Sequence, residues 1–183
     1  HKEIDDGLPL LYLRGRPHIE LFGVTTTFGN GATQQDYQQT QALLRRVNRT
    51  DIPVWKGHAT PDYGCNDAAR FLVSKAADSP GEISILATGS LANLKTAASL
   101  DSEFFANVQQ IVCMGGYLGP LRIGWRNLAE LNLSVDPGAA FAVLNAPCPV
   151  TWMTAQLCLQ AYFAWSDLSR IRSMDTWFQK TIR

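Results

Sequence analysis

The chain has no excess of either charge: 16 Lys and Arg stand against 16 Asp and Glu, with 3 His. A surface built for nucleic acid shows a basic excess. The balance therefore argues against a dominant nucleic-acid interface, and it gives no support to a polybasic membrane anchor. No apolar run reaches the roughly 18 residues that a spanning helix requires, so no membrane partner is expected. No C-x-x-C pair occurs among Cys65, Cys113, Cys148 and Cys158, which argues against zinc and thioredoxin-type chemistry. Three of the four lie in apolar runs, where a thiol packs as a small hydrophobe. Reduced thiols and a cytoplasmic location are the expectation. Neither G-x-G-x-x-G nor a P-loop pattern is present, which counts against a generic nucleotide-binding domain. No signal-type segment opens the sequence as given. The sequons Asn48-Arg49-Thr50 and Asn132-Leu133-Ser134 read as chance matches. Internal repeats and low-complexity stretches are absent.

What remains is an ordinary globular composition, 46% hydrophobic and 17% charged, with a mean hydropathy of −0.07. The 183 residues suffice for one domain with a sizeable core. Apolar strands and amphipathic helices alternate along the chain. Strands are predicted at Ile19 to Thr26, Ile52 to Trp55, Ile83 to Ala87, Ile111 to Met114 and Val150 to Met153. Helices are predicted at Gln34 to Val47, Asp67 to Ala77, near Leu91 to Ala98, and from Pro137 to about Asn145. The tail from Leu168 reads as helical or irregular. Strands apolar throughout and separated by helices imply an α/β fold, an open, mostly parallel sheet with helices on both faces. Ligands of such sheets bind at the carboxyl ends of the strands.

Several motifs fall at those ends. Asp5-Asp6 precedes the apolar stretch Leu8 to Leu13. The pair reads either as helix N-terminal acids or as one cation ligand beside one sugar-binding carboxylate. Pro9 is expected to shorten or kink that helix. Thr25 to Asn30 is a β-branched run closing in Phe-Gly-Asn, either a plain turn or an asparagine offered to a polar ligand. The Thr88 carbonyl, at Thr88-Gly89, suits a hard cation as well as a tight turn. Glu130 and Asn132, if extended, point to one side and suit a polyhydroxylated ligand such as ribose. Asp136 before Pro137 reads as a helix N-cap. His18, His58 and the five tryptophans show no ligand spacing. The long segment from Gly115 to Leu128 is expected to be a loop, in the manner of a lid or of a plain surface connection.

Taken in order, Ile4-Asp5-Asp6, Thr26 to Asn30, Thr88 to Asn93, Met114-Gly115-Gly116 and Glu130-x-Asn132-x-x-x-Asp136-Pro137 resemble the inosine-uridine nucleoside hydrolase family. Ala92 stands where the family has threonine. The resemblance implies the family's fold and a calcium-assisted hydrolysis of the N-glycosidic bond of ribonucleosides. By position, Asp6 and the Thr88 carbonyl would hold Ca2+. Asp5 would hold a ribose hydroxyl, with Asp5 and Asp6 the catalytic carboxylates. Asn30, Glu130 and Asn132 would bind the ribose. The resemblance also implies a homo-oligomer, dimer or tetramer, acting on a small nucleoside. Two departures matter. The family's first two aspartates have no counterpart, and His1 stands where the general base would fall. The family's distal His-Asp pair would fall beyond residue 183. Residues 1–183 are therefore expected to form a single domain incomplete at both ends. A bare sheet edge would then leave it prone to instability or association. The alternative expectation is a non-catalytic homologue that binds a nucleoside or sugar.

Overall fold

The computed structural model describes residues 6–61, 64–161, 164–167 and 169. Asp5 lies outside them, as does nearly all of the tail from Leu168. Helix α1, Gly7–Arg14, opens the described fold. It runs through Pro9, which sits in the first turn, where an amide has no helical partner to lose. Strand β1, Val24–Thr26, leads to helix α2, Thr33–Arg46, and strand β2, Val54–Lys56. The two strands pair in parallel, Val24 opposite Val54 and Thr26 opposite Lys56. Thr33, fully buried at the start of α2, donates its hydroxyl to the His58 carbonyl at 2.8 Å and fastens the helix to the end of β2.

The second half begins with helix α3, Asp67–Asp78, capped by the Asn66 side chain accepting from the Ala69 amide at 2.9 Å. Strand β3, Ile83–Ala87, is followed by α4, Ala92–Leu100, the short α5, Phe104–Asn107, and β4, Val108–Met114. The segment after β4 holds a two-stranded hairpin, β5 Arg122–Ile123 and β6 Arg126–Asn127. Helix α6, Pro137–Leu144, strand β7, Val150–Met153, and α7, Ala155–Cys158, complete the set. Strands β3, β4 and β7 form a parallel sheet in the order β3-β4-β7. The core lies against this sheet: Leu91, Leu94, Ala97, Phe104, Ile111, Cys113, Ala139 and Val143 form one buried cluster.

The expected open, mostly parallel architecture flanked by helices is present, and three differences from expectation bear on the site. The first strand is shorter, Val24–Thr26, because residues 19–23 find no ladder partner among the described residues. The second starts at Val54 because Pro53 has no amide to give a ladder; its carbonyl accepts from the Val24 amide instead, at 2.9 Å. Strand β3 is not buried on both faces, since Leu86 is 47% exposed. This last difference has a topological cause. Strand β1 pairs with β2 alone and β3 with β4 alone. Each leaves one edge without a strand among the described residues. Both strands line one cleft of about 1560 Å³, with Ile19, Phe22 and Leu86 contributing exposed apolar surface.

Candidate active site

The cleft reaches the carboxyl ends of β1 and β3, and there it gathers most of the residues singled out from the sequence. Asp6, Asn30, Thr88 and Asn132 all line it. Asp6 is exposed at the N-terminal boundary of α1, with helical backbone angles and no cap bond from its side chain. Asn30 is exposed in the turn after β1, a turn anchored by the buried Phe28. The cleft exceeds the 300–1,000 Å³ usual for small-molecule sites because it continues between the two sheets.

Asn132 ties two strand ends together. Its Nδ2 donates to the Thr88 carbonyl at 2.8 Å and to the Met114 carbonyl at 3.1 Å, with Met114 Sδ also within 3.0 Å. Thr88 follows β3 and Met114 ends β4. Both amide hydrogens are thus used on backbone carbonyls, and the Asn132 Oδ1 is left to accept from a ligand hydroxyl. The Thr88 carbonyl keeps a second lone pair for a cation or a hydroxyl.

Glu130 is placed differently from the sequence expectation. Residues 132–135 form a turn, not a strand, so the alternation of an extended segment does not apply to Glu130 and Asn132. The Glu130 carboxylate folds back into that turn. Oε1 accepts from the amides of Leu133 at 2.9 Å and Gly116 at 3.3 Å, and Oε2 accepts from Ser134 at 3.0 Å. Glu130 is not among the residues lining the cleft. Its visible work is to hold the Met114-Gly115-Gly116 bend against the 131–135 turn. Gly116 has φ +74°, a left-handed conformation that favours glycine.

Asp136 is the N-cap expected of it. It is 3% exposed, and its Oδ1 accepts from the Ala139 amide at 2.9 Å, with Pro137 at the first helical position. His58 and Trp55 take packing roles: the His58 ring contacts the Gly64 carbonyl, and Trp55 stacks on Phe71 at 5.5 Å. All four cysteines are free.

Sequence reasoning placed Asn93 after Thr88-Gly89 but gave it no role. It is 4% exposed, and its Nδ2 donates to the Thr26 carbonyl at 3.0 Å, across the cleft from its own helix. An amide in the first turn of α4, between the apolar Ala92 and Leu94, was the available signal.

Calcium takes six to eight oxygen ligands. Asp6 and the Thr88 carbonyl are oxygen donors of the kind a hard cation takes, and both line the cleft; they would make two of those ligands. Among the described residues no group of three His, Cys, Asp or Glu side chains converges on one point. The remaining ligands would have to come from water, substrate hydroxyls and residues outside those described.

The sequence model of the family described as inosine-uridine preferring nucleoside hydrolase matches residues 2–183. A probable uridine nucleosidase 2 of Oryza sativa subsp. japonica is 30% identical over 93% of this chain and 59% of its own length. A pyrimidine-specific ribonucleoside hydrolase of a Shewanella strain is 27% identical over 93% of this chain and 61% of its own. Among solved structures, a plant nucleoside hydrolase superposes with a TM-score of 0.85 at 25% identity, covering 95% of this chain and 64% of that one. The chain thus spans about three fifths of the length of the curated relatives it matches.

Proposed function

Because the chain belongs to the inosine-uridine preferring nucleoside hydrolase family, we propose that it carries the ribose-binding part of a nucleoside N-ribohydrolase. The observation that supports this reading is the cleft at the carboxyl ends of β1 and β3, lined by Asp6, Asn30, Thr88 and Asn132 together. Their carboxylate, carbonyl and amide groups can accept from and donate to sugar hydroxyls. The relatives' names favour uridine as the first substrate to test.

The chemistry follows from the side chains. Departure of the base leaves an oxocarbenium-like ribosyl group, as in glycoside hydrolysis generally. The exposed Asp6 carboxylate, at the rim of the cleft, offers the negative charge that stabilises such a cation. The Asn132 Oδ1 and the amide of Asn30 orient the ribose hydroxyls. Asp5 belongs to the same reading, although it lies outside the described residues. Glu130 acts on the ribose in this reading through the bend it holds. Calcium bound by Asp6 and the Thr88 carbonyl would orient the sugar and a water molecule. A homo-oligomer and a cytoplasmic location go with the proposal.

The test is ribose release from uridine and inosine, with and without a calcium chelator, using Asp6→Asn as the control. Release that is sensitive to chelator and lost in the variant is the expected result. Tight nucleoside binding without release would instead establish a non-catalytic binding homologue. The absence of both binding and release would overturn the proposal.

A further inference from the structure

Strands β1 and β2 share no backbone ladder with β3, β4 and β7, yet the site draws on both groups. Asn30 follows β1, whereas Thr88 and Asn132 belong to the β3–β4 side. Something must fix the spacing between them. Asn93, in the first turn of α4, donates from Nδ2 to the carbonyl of Thr26, the last residue of β1, at 3.0 Å. The same carbonyl accepts from the Gly57 amide at 3.0 Å, just beyond β2. Three segments thus meet at one oxygen. The fit is close: a Cβ on Gly57 would fall 2.5 Å from that oxygen and inside contact distance of Asn93 Oδ1. The amide cannot be turned over, because Oδ1 would then face the Thr26 carbonyl, oxygen against oxygen. The joint is desolvated, with Thr26 at 7% and Asn93 at 4% exposure. A hydrogen bond there is stronger than at the surface, and its loss is costlier.

We propose that Asn93 is a positioning residue, which sets the width of the ribose site by clamping the end of β1 to the helix that follows Thr88. This rests on the nucleoside hydrolase reading for its effect on catalysis, but not for the clamp itself. Asn93 lines the same cleft, with its Nδ2 engaged on the Thr26 carbonyl. It acts through the Thr26 carbonyl on the turn that carries Asn30.

The experiment compares the 183-residue chain with Asn93→Asp, which keeps the shape but loses the donor, and with Gly57→Ala, which crowds the same oxygen from the other side. Val143→Ala, in the core away from the cleft, serves as a control of comparable destabilisation. The first readout is amide hydrogen exchange. Exchange at Gly57 and along the β1–β2 ladder accelerates at least tenfold in Asn93→Asp, while β4 and α6 amides change no more than they do in Val143→Ala. The second is uridine hydrolysis. KM rises about tenfold in both site variants, with a smaller change in kcat, and stays within twofold in the core variant. Unchanged protection at Gly57 overturns the clamp whatever the enzyme assay gives. Altered protection with KM unchanged overturns its positioning role. A wild-type chain that neither binds nor cleaves uridine overturns that role with the nucleoside reading, and leaves hydrogen exchange to decide the clamp alone.

Discussion

Cys113 shows how a single side chain records its surroundings. It is fully buried in β4, and burial, followed by the neighbouring Cys148, pushes its thiol up to about 12. The unfolded chain would release that proton near 9.0. Between the two values the folded state holds more protons than the unfolded one, so stability falls as pH rises from about 9 towards 12 and is complete below 9. Urea midpoints of wild type and Cys113→Ala measured from pH 8 to 11 should therefore converge, the wild type losing more. Parallel pH slopes for the two would contradict this. The exposed Cys65 should alkylate in the native state, whereas Cys113 should do so only on unfolding. Glu130 poses a sharper question at the same scale. Its carboxylate satisfies three backbone amides, and hydrogen bonds to charged groups contribute about 1.5–3 kcal/mol each at most. Glu130→Ala is expected to cost roughly 2–3 kcal/mol, and Glu130→Gln, which keeps one acceptor oxygen, about half of that. If thermal unfolding leaves Glu130→Ala as stable as wild type, the carboxylate is not held as described, and direct contact with the ribose becomes the better account.

At the scale of elements, the helices were the most legible part of the sequence and the turns the least. The Asp136-Pro137 step announced α6, since an acid that can cap and a proline that suits the first helical position stand side by side. The cap is formed, and Asp136→Ala should cost about 1–2 kcal/mol, read as a shift of the urea midpoint with the m-value unchanged; a shift under a few tenths would show the cap to be idle. Asp67–Asp78 and Ile83–Ala87 lie where their periodicity places them, because their apolar positions match one period cleanly. The hairpin from Arg122 to Asn127 was hidden, since two residues on each strand are too short to show alternation. The 131–135 turn was misread for a different reason. The Leu133 and Ser134 amides bond to the Glu130 side chain and the Val135 amide to the Leu131 carbonyl rather than to a neighbouring strand, and nothing in the spacing distinguishes such a turn from an extended segment. The candidate site was legible residue by residue, through Asp6, Asn30, Thr88 and Asn132. Asn93 and Gly57 were not, because their roles depend on a contact between positions 67 and 31 residues from Thr26 in the chain, which no local pattern encodes.

At the scale of the molecule, the open question is the cleft between β1 and β3. Each strand has one edge without a partner among the described residues, and the surface between them carries Phe22 and Leu86 at 44% and 47% exposure. Unpaired edges with apolar faces template association. The chain enters α1 at Asp6, which lines this same cleft. A parallel strand joined through a helix to its neighbour is the standard right-handed β-α-β unit. A strand lying in the cleft and feeding α1, with β1 following, would satisfy that rule and join the two sheets into one. The sequence ahead of Asp6, His-Lys-Glu-Ile-Asp, contains one aliphatic residue. Fusing a segment of five or six Val and Ile residues directly ahead of His1 should therefore raise the thermal midpoint by several degrees, since roughly 1–2 kcal/mol shifts a domain of this size by about 2–8 °C. Light scattering should also show less concentration-dependent association for the fusion than for the 183-residue chain. The same segment interrupted by proline, which cannot supply the ladder, should do neither, and Leu86→Lys should lower association without the gain in stability. If the aliphatic and proline-broken fusions behave alike, the cleft does not accept a strand, and the two sheets are held together by the Asn93 joint and side-chain packing alone.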